Sequence, residues 1–131
     1  MIGLDANVLV RLLTADETIQ LKAATQLLAS FEGQANSFYV NDMVLVELVW
    51  ALRRLYGFER KDALFAIQSL LTSDAFVFED RARLSQVIRL CNEQVQDFAD
   101  IMIVLKNAAA PCEYTATFDK AMGSLPKVKL L

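Results

Sequence analysis

Four acidic residues sit where solvation alone is a poor explanation for a charge: Asp5, Glu47, Asp100 and Asp119. Asp5 closes a short apolar run, residues 2–4. Glu47 is the one charge in MVLVELVWAL, a stretch that otherwise reads as buried, and an unpaired buried carboxylate is costly. Asp100 directly precedes the apolar run 101–105, and Asp119 follows TATF. Carboxylates that converge repel one another, and their pKa values rise unless a cation is bound. Oxygen ligands without histidine or cysteine select Mg2+ or Mn2+. Such a cation can activate water and stabilise the charge on a phosphodiester during hydrolysis.

Each acid also has a plainer use. Asp5 could cap the helix that follows it, and Asp119 the turn at residues 120–122. Asp97 and Asp100 have the spacing of a capping box. Glu47 could lie at the edge of an apolar stripe and reach water. Taken together the four point one way, because two end strands and two lie on helices able to pack over one sheet edge. The chain has no histidine. That excludes Ser-His-Asp and Cys-His catalysis, His-ligated zinc and a histidine general base.

The elements that must position these residues alternate. Strands are expected at residues 2–4, 37–40, 75–78, 114–118 and 128–130. Between them, helical periodicity covers 7–13, 23–31, 43–56, 60–71, a segment after Asp80 to about 92, and a segment from Asp97 to the AAAP stop. Gly33 and Gly57 end two of these helices, and Asn41 or Asp42 caps the third. Strands separated by helices imply a parallel sheet covered on both faces. Ligands then sit beyond the carboxyl ends of the strands.

The length of 131 residues suits one domain, residues 1–131. A hydrophobic share of 55% argues against disorder and leaves apolar surface for a core or an oligomer interface. The two cysteines, Cys91 and Cys112, form no CxxC pair and read as small buried hydrophobes. Asp5 interrupts the first apolar residues, and no basic segment precedes them, so no signal peptide is expected. The apolar runs are too short to span a bilayer. A cytoplasmic protein with no membrane association is the expectation. Thirteen basic against 16 acidic residues give a net charge of −3, which lacks the basic footprint of many nucleic-acid binders. Setting four carboxylates aside to hold cations leaves the remainder nearly neutral.

The segments LDANVLVRLL, VELVWALRRLYGF, DFADIMIV and TFDK, in that order, resemble the PIN-domain ribonucleases. They have most in common with the VapC-type toxins of bacterial toxin–antitoxin pairs. The resemblance spans essentially the whole chain. It implies an α/β/α three-layer sandwich with a five-stranded parallel sheet ordered 3-2-1-4-5. It implies a Mg2+ or Mn2+ site made by Asp5, Glu47, Asp100 and Asp119, which would hydrolyse RNA without a covalent enzyme intermediate. Asn7 matches the family's Asn two residues after the first Asp and would orient that carboxylate or a water. Thr117 falls where the family places a small hydroxyl before its last acid. Two acids compete in DFAD: the ligand is assigned to Asp100, and Asp97 is kept as a cap or outer partner. Ala6 stands where the family commonly has Thr. An RNA substrate, a cognate antitoxin and a homodimer are the partners implied.

Arg11, Arg53 and Arg54 are candidate phosphate contacts. For Arg53 and Arg54 a solvated helix C-terminus is the commoner use, and for Arg11 a structural ion pair is an equal alternative. Trp50, Tyr56 and Phe58 could stack on bases, although packing in a core or interface is the commoner use of such residues. Three other readings compete. A haloacid-dehalogenase-like phosphatase would need a second Asp where Asn7 stands, and would leave Glu47 without a role. A non-enzymatic PIN-like binding module would be favoured by loss of the acids, and all four are present. A receiver-like phospho-acceptor domain would want an acidic pair after the first strand, where Asp5 stands alone.

Overall fold

In a computed structural model, which describes residues 1–16 and 18–131, the chain is an α/β protein with two compact units, Met1–Glu79 and Asp80–Leu131. The first unit carries β1 (Ile2–Gly3), α1 (Ala6–Thr14), α2 (Thr18–Ala29), β2 (Phe38–Val40), α3 (Asp42–Arg54), α4 (Arg60–Thr72) and β3 (Phe76–Phe78). The second carries α5 (Arg81–Glu93), α6 (Phe98–Ala109), β4 (Thr115–Thr117), a 3-10 turn (Lys120–Ser124) and β5 (Val128–Leu130). Every expected strand and helix is present, with ends shifted by a few residues.

In the first unit the strands form a parallel sheet in the order β1-β2-β3, with Ile2 opposite Phe38 and Phe38 opposite Phe76. The alternation seen in FYV and FVF, buried at both ends and half-buried between, follows from the two-residue period of a strand. The rings of Phe31 and Phe38 meet edge to face at 5.3 Å between centroids, a geometry that aromatic quadrupoles favour. Helix α1 packs on α2 and α3, and α3 packs on α4. Leu9, Leu45, Leu48, Leu52 and Ile67 are fully buried and form the core of this unit. In the second unit β4 and β5 pair in parallel and α5 packs on α6, with Leu84, Val87, Ile101 and Val104 fully buried on these helices. The strand ladders therefore comprise a three-stranded and a two-stranded sheet, where the sequence suggested five strands in one.

The caps explain why the helices begin where they do. Asn41 Oδ1 accepts the Val44 N–H at 2.9 Å, and Asp80 Oδ1 accepts the Arg83 N–H at 2.9 Å, each satisfying a first-turn donor. Gly57, at φ +67°, turns the chain after α3 in a backbone region that L side chains avoid. No helix among the described residues is long and apolar enough to cross a membrane.

Candidate active site

In the first unit, Leu4 is buried and tied to the sheet by its N–H, which donates to Tyr39 O at 2.9 Å. The next residue, Asp5, is therefore held at the carboxyl end of β1. It is also the N-cap of α1, with Oδ1 accepting the Ala6 N–H at 2.8 Å. The capping alternative for Asp5 is thus realised, and it occupies one carboxylate oxygen. The other oxygen has no hydrogen-bond partner among the described residues, and the residue is exposed. Asn7 is exposed in the first turn of α1.

Glu47 lies on α3, which packs on α1, but it is exposed. Its neighbours in sequence suggested burial. In fact the buried stripe of α3 runs through Leu45, Leu48, Val49 and Leu52, and Glu47 falls beside it. Trp50, expected to pack in a core or interface, is likewise on the open side at 56% exposure. Asp42, in sequence no more than a possible cap, is buried at 4% exposure. Its backbone N–H donates to Glu79 Oε1 at 3.3 Å, so two side chains, from Asn41 and Glu79, secure the start of α3. The pairing with Glu79 links residues far apart in sequence and left no local signal.

In the second unit Asp100 and Asp119, the remaining two of the four, interact with Asp97. Asp100, half-buried in the first turn of α6, has its carboxyl pKa raised above the ordinary value, first by burial and then by the like charges of Asp97 and Asp119. Asp97 sits at the N-cap position of α6 but makes no side-chain capping bond. The capping-box alternative is therefore not realised. Asp119 follows β4 and caps the 3-10 turn, with Oδ1 accepting the Ala121 N–H at 2.9 Å. Thr117 Oγ1 accepts the Asp119 N–H at 3.0 Å and donates to Met122 Sδ at 3.6 Å. The hydroxyl thus fixes the backbone from which Asp119 projects.

Two residues that the sequence reading passed over hold these acids near one another. Gln96 is buried and donates through Nε2 to Ala121 O. Ser124 Oγ donates to Gln94 Oε1 at 2.9 Å. Both bonds tie the segment before α6 to the turn that begins at Asp119. As the side chains stand, no group of three or more acids or cysteines among the described residues is arranged to hold a metal ion. The donor chemistry nevertheless fits a hard cation: a carboxyl raised first by burial and then by two like charges is one whose charged form a bound divalent ion would stabilise.

The candidate phosphate contacts differ in kind. Arg53 and Arg54 are exposed in the last turn of α3, where the helix dipole favours cations. Arg11 is built into the first unit. Its Nε–H donates to Gln20 Oε1 at 2.7 Å, and Nη1 donates to Asp16 Oδ1 at 3.1 Å and to Tyr56 Oη at 2.8 Å. Arg11 thus pairs with Asp16 rather than with one of the four candidate acids. Tyr56 is half-buried with its hydroxyl engaged, and Phe58 is half-buried. Cys91 is buried as expected, whereas Cys112 is exposed in the connection between α6 and β4.

Comparison with known proteins adds two findings. The PIN domain family matches residues 2–128. A VapC ribonuclease of Aquifex aeolicus (strain VF5) is 24% identical over 103 residues, which is 79% of this chain and 76% of that relative.

Proposed function

The chain belongs to the PIN domain family, and from that premise we propose that it is a metal-dependent endoribonuclease toxin of the VapC type, restrained by a cognate antitoxin. The ribonuclease similar over most of its length supports this reading. The observation that carries it is Asp100, a half-buried carboxyl beside Asp97 and Asp119 that a divalent cation would stabilise. The ligands are assigned to Asp5, Glu47, Asp100 and Asp119, with Asn7, Asp97 and Thr117 in support. The two sheets are read as the parts 3-2-1 and 4-5 of one five-stranded order in a three-layer α/β/α sandwich, and residues 1–131 as one domain. A homodimer in the cytoplasm completes the proposal.

The all-oxygen donor set suits Mg2+ or Mn2+. Bound there, the ion would supply charge stabilisation to a phosphodiester and acidity to the attacking water. The chain's own part is positional. Asp5 keeps one oxygen on the Ala6 N–H and leaves the other for a ligand. Thr117 fixes the main chain at Asp119. Asn7, exposed beside Asp5, can orient a water or the carboxylate. Exposed Arg53 and Arg54 supply phosphate contacts outside the acidic residues.

The test is cleavage of a structured RNA pool by the purified chain with Mn2+ or Mg2+, compared with EDTA and with Asp100→Asn. Metal-dependent cutting that disappears in the folded variant is expected. Cutting that persists in EDTA, or at wild-type rate in folded Asp100→Asn, would overturn the reading.

A further inference from the structure

The packed pair α1–α2 bears a groove of about 370 Å3. Its polar rim is Asn7, Arg11 and Gln20, and its lining includes the small residues Ala23 and Ala24 with Leu27. The proposed mechanism uses Asn7 only as a support for Asp5 and leaves the rest of the groove unassigned.

The rim is better suited to a neutral polar plate than to an anion. The Arg11 guanidinium is offset by Asp16 at 3.1 Å and pinned by Tyr56 and Gln20 at 2.8 and 2.7 Å. A cation already matched in this way adds little attraction for a phosphate, but it is a rigid donor plane. The Asn7 carboxamide is exposed and makes no hydrogen bond to a described residue. It offers a donor and an acceptor in one plane, the pattern that pairs with a base edge. The alanine lining leaves room for a flat ring beside Leu27. Asn7 is two residues from Asp5, and Arg11 lies about 9 Å further along the α1 axis than Asp5.

We infer that this groove seats one unpaired nucleobase of the RNA and reads it, so that the base flanking the cut bond selects the cleavage site. The inference rests on the ribonuclease reading for its place in the reaction, but the base seat itself can be tested without catalysis. Single-stranded RNA is commonly read through splayed bases in this manner, and one good amide–base pair discriminates about tenfold or more.

The first experiment is a nitrogen-15 NMR titration of the whole chain with adenosine, guanosine, cytidine and uridine in turn, and with inorganic phosphate as a separate arm. The side-chain amides of Asn7 and Gln20 and the Arg11 Nε–H should shift with one nucleoside more than with the others. Ala23→Phe should abolish the shift, since Ala23 is exposed and a ring there fills the groove without entering the core. Gln20→Ala gives a second variant that removes one rim amide without adding bulk. Equal shifts with phosphate, or no shift with any nucleoside, would overturn the base seat.

The second experiment sequences the products of a random RNA pool. A base preference at one position beside the cut, falling to within roughly twofold in both variants, supports the inference. An unchanged preference in both folded variants overturns it and leaves the nuclease reading standing. Nucleoside binding at these residues without any RNA cleavage supports the base seat and removes the nuclease reading instead.

Discussion

Glu47 and Leu48 are consecutive on α3, and the structure assigns them opposite physics. Leu48 is fully buried, whereas Glu47 is exposed. Leu48→Ala removes a core side chain and leaves a cavity that the packed helices fill only in part, at a cost of about 2.7–5.0 kcal/mol. In a chain of 131 residues each kcal/mol moves Tm by about 3–5 °C. A fall of roughly 10–20 °C is expected. Glu47→Gln preserves size at an exposed position, so its effect on stability should stay within about 0.5 kcal/mol, or roughly 2 °C. Activity should reverse the order. A lost metal ligand forfeits several kcal/mol of transition-state stabilisation, which at about 1.4 kcal/mol per factor of ten lowers kcat about 100- to 1000-fold. Leu48→Ala, assayed well below its Tm, should keep kcat within about threefold, since its cost falls on the folded state as a whole. Circular-dichroism melting and RNA cleavage at saturating Mn2+ measure both quantities. Wild-type kcat in folded Glu47→Gln would remove Glu47 from the machinery. A Tm loss in Glu47→Gln comparable with that of Leu48→Ala would make Glu47 a structural residue.

Asp100→Asn should stabilise the metal-free protein at neutral pH. The folded pKa of Asp100 is raised, so its favourable contribution is present below the ordinary carboxylate value and is lost as pH rises through the raised one. The advantage of the variant should therefore vanish in acid, and denaturant melts in EDTA at neutral and acid pH check this. Mg2+ at ten times its Kd should stabilise wild type by about 1.4 kcal/mol. An equal Tm rise in an Asp5→Asn/Asp119→Asn double variant would count against those ligands. Asn41→Ala deletes the 2.9 Å cap of α3, which should cost about 1 kcal/mol in urea melts. Thr117→Val removes the acceptor of the Asp119 N–H; kcat should fall while Mg2+-free stability drops by about 1 kcal/mol, and unchanged kcat would reduce Thr117 to a packing residue.

What the sequence determined by itself is what depends on neighbours along the chain. Apolar spacing placed the helices and strands, and Asn41 and Asp80 marked two helix starts, because periodicity and capping act over a few residues. The four acids stood out for the same reason, as charges beside apolar runs. Sequence order alone could not settle which side of α3 faces the core. Leu48 is buried and Glu47 and Trp50 are open because α1 and α4 pack on one side of that helix. Nor could it show that Arg11 answers Tyr56, or that Gln96 ties the approach to α6 to the turn after Asp119. Cys91 and Cys112 read alike in sequence, yet one is buried in α5 and the other exposed between α6 and β4. Burial of a helix face, pairing across distant segments and the mutual repulsion that raises Asp100 all depend on separation in space. Tertiary packing sets that separation, and no local pattern encodes it.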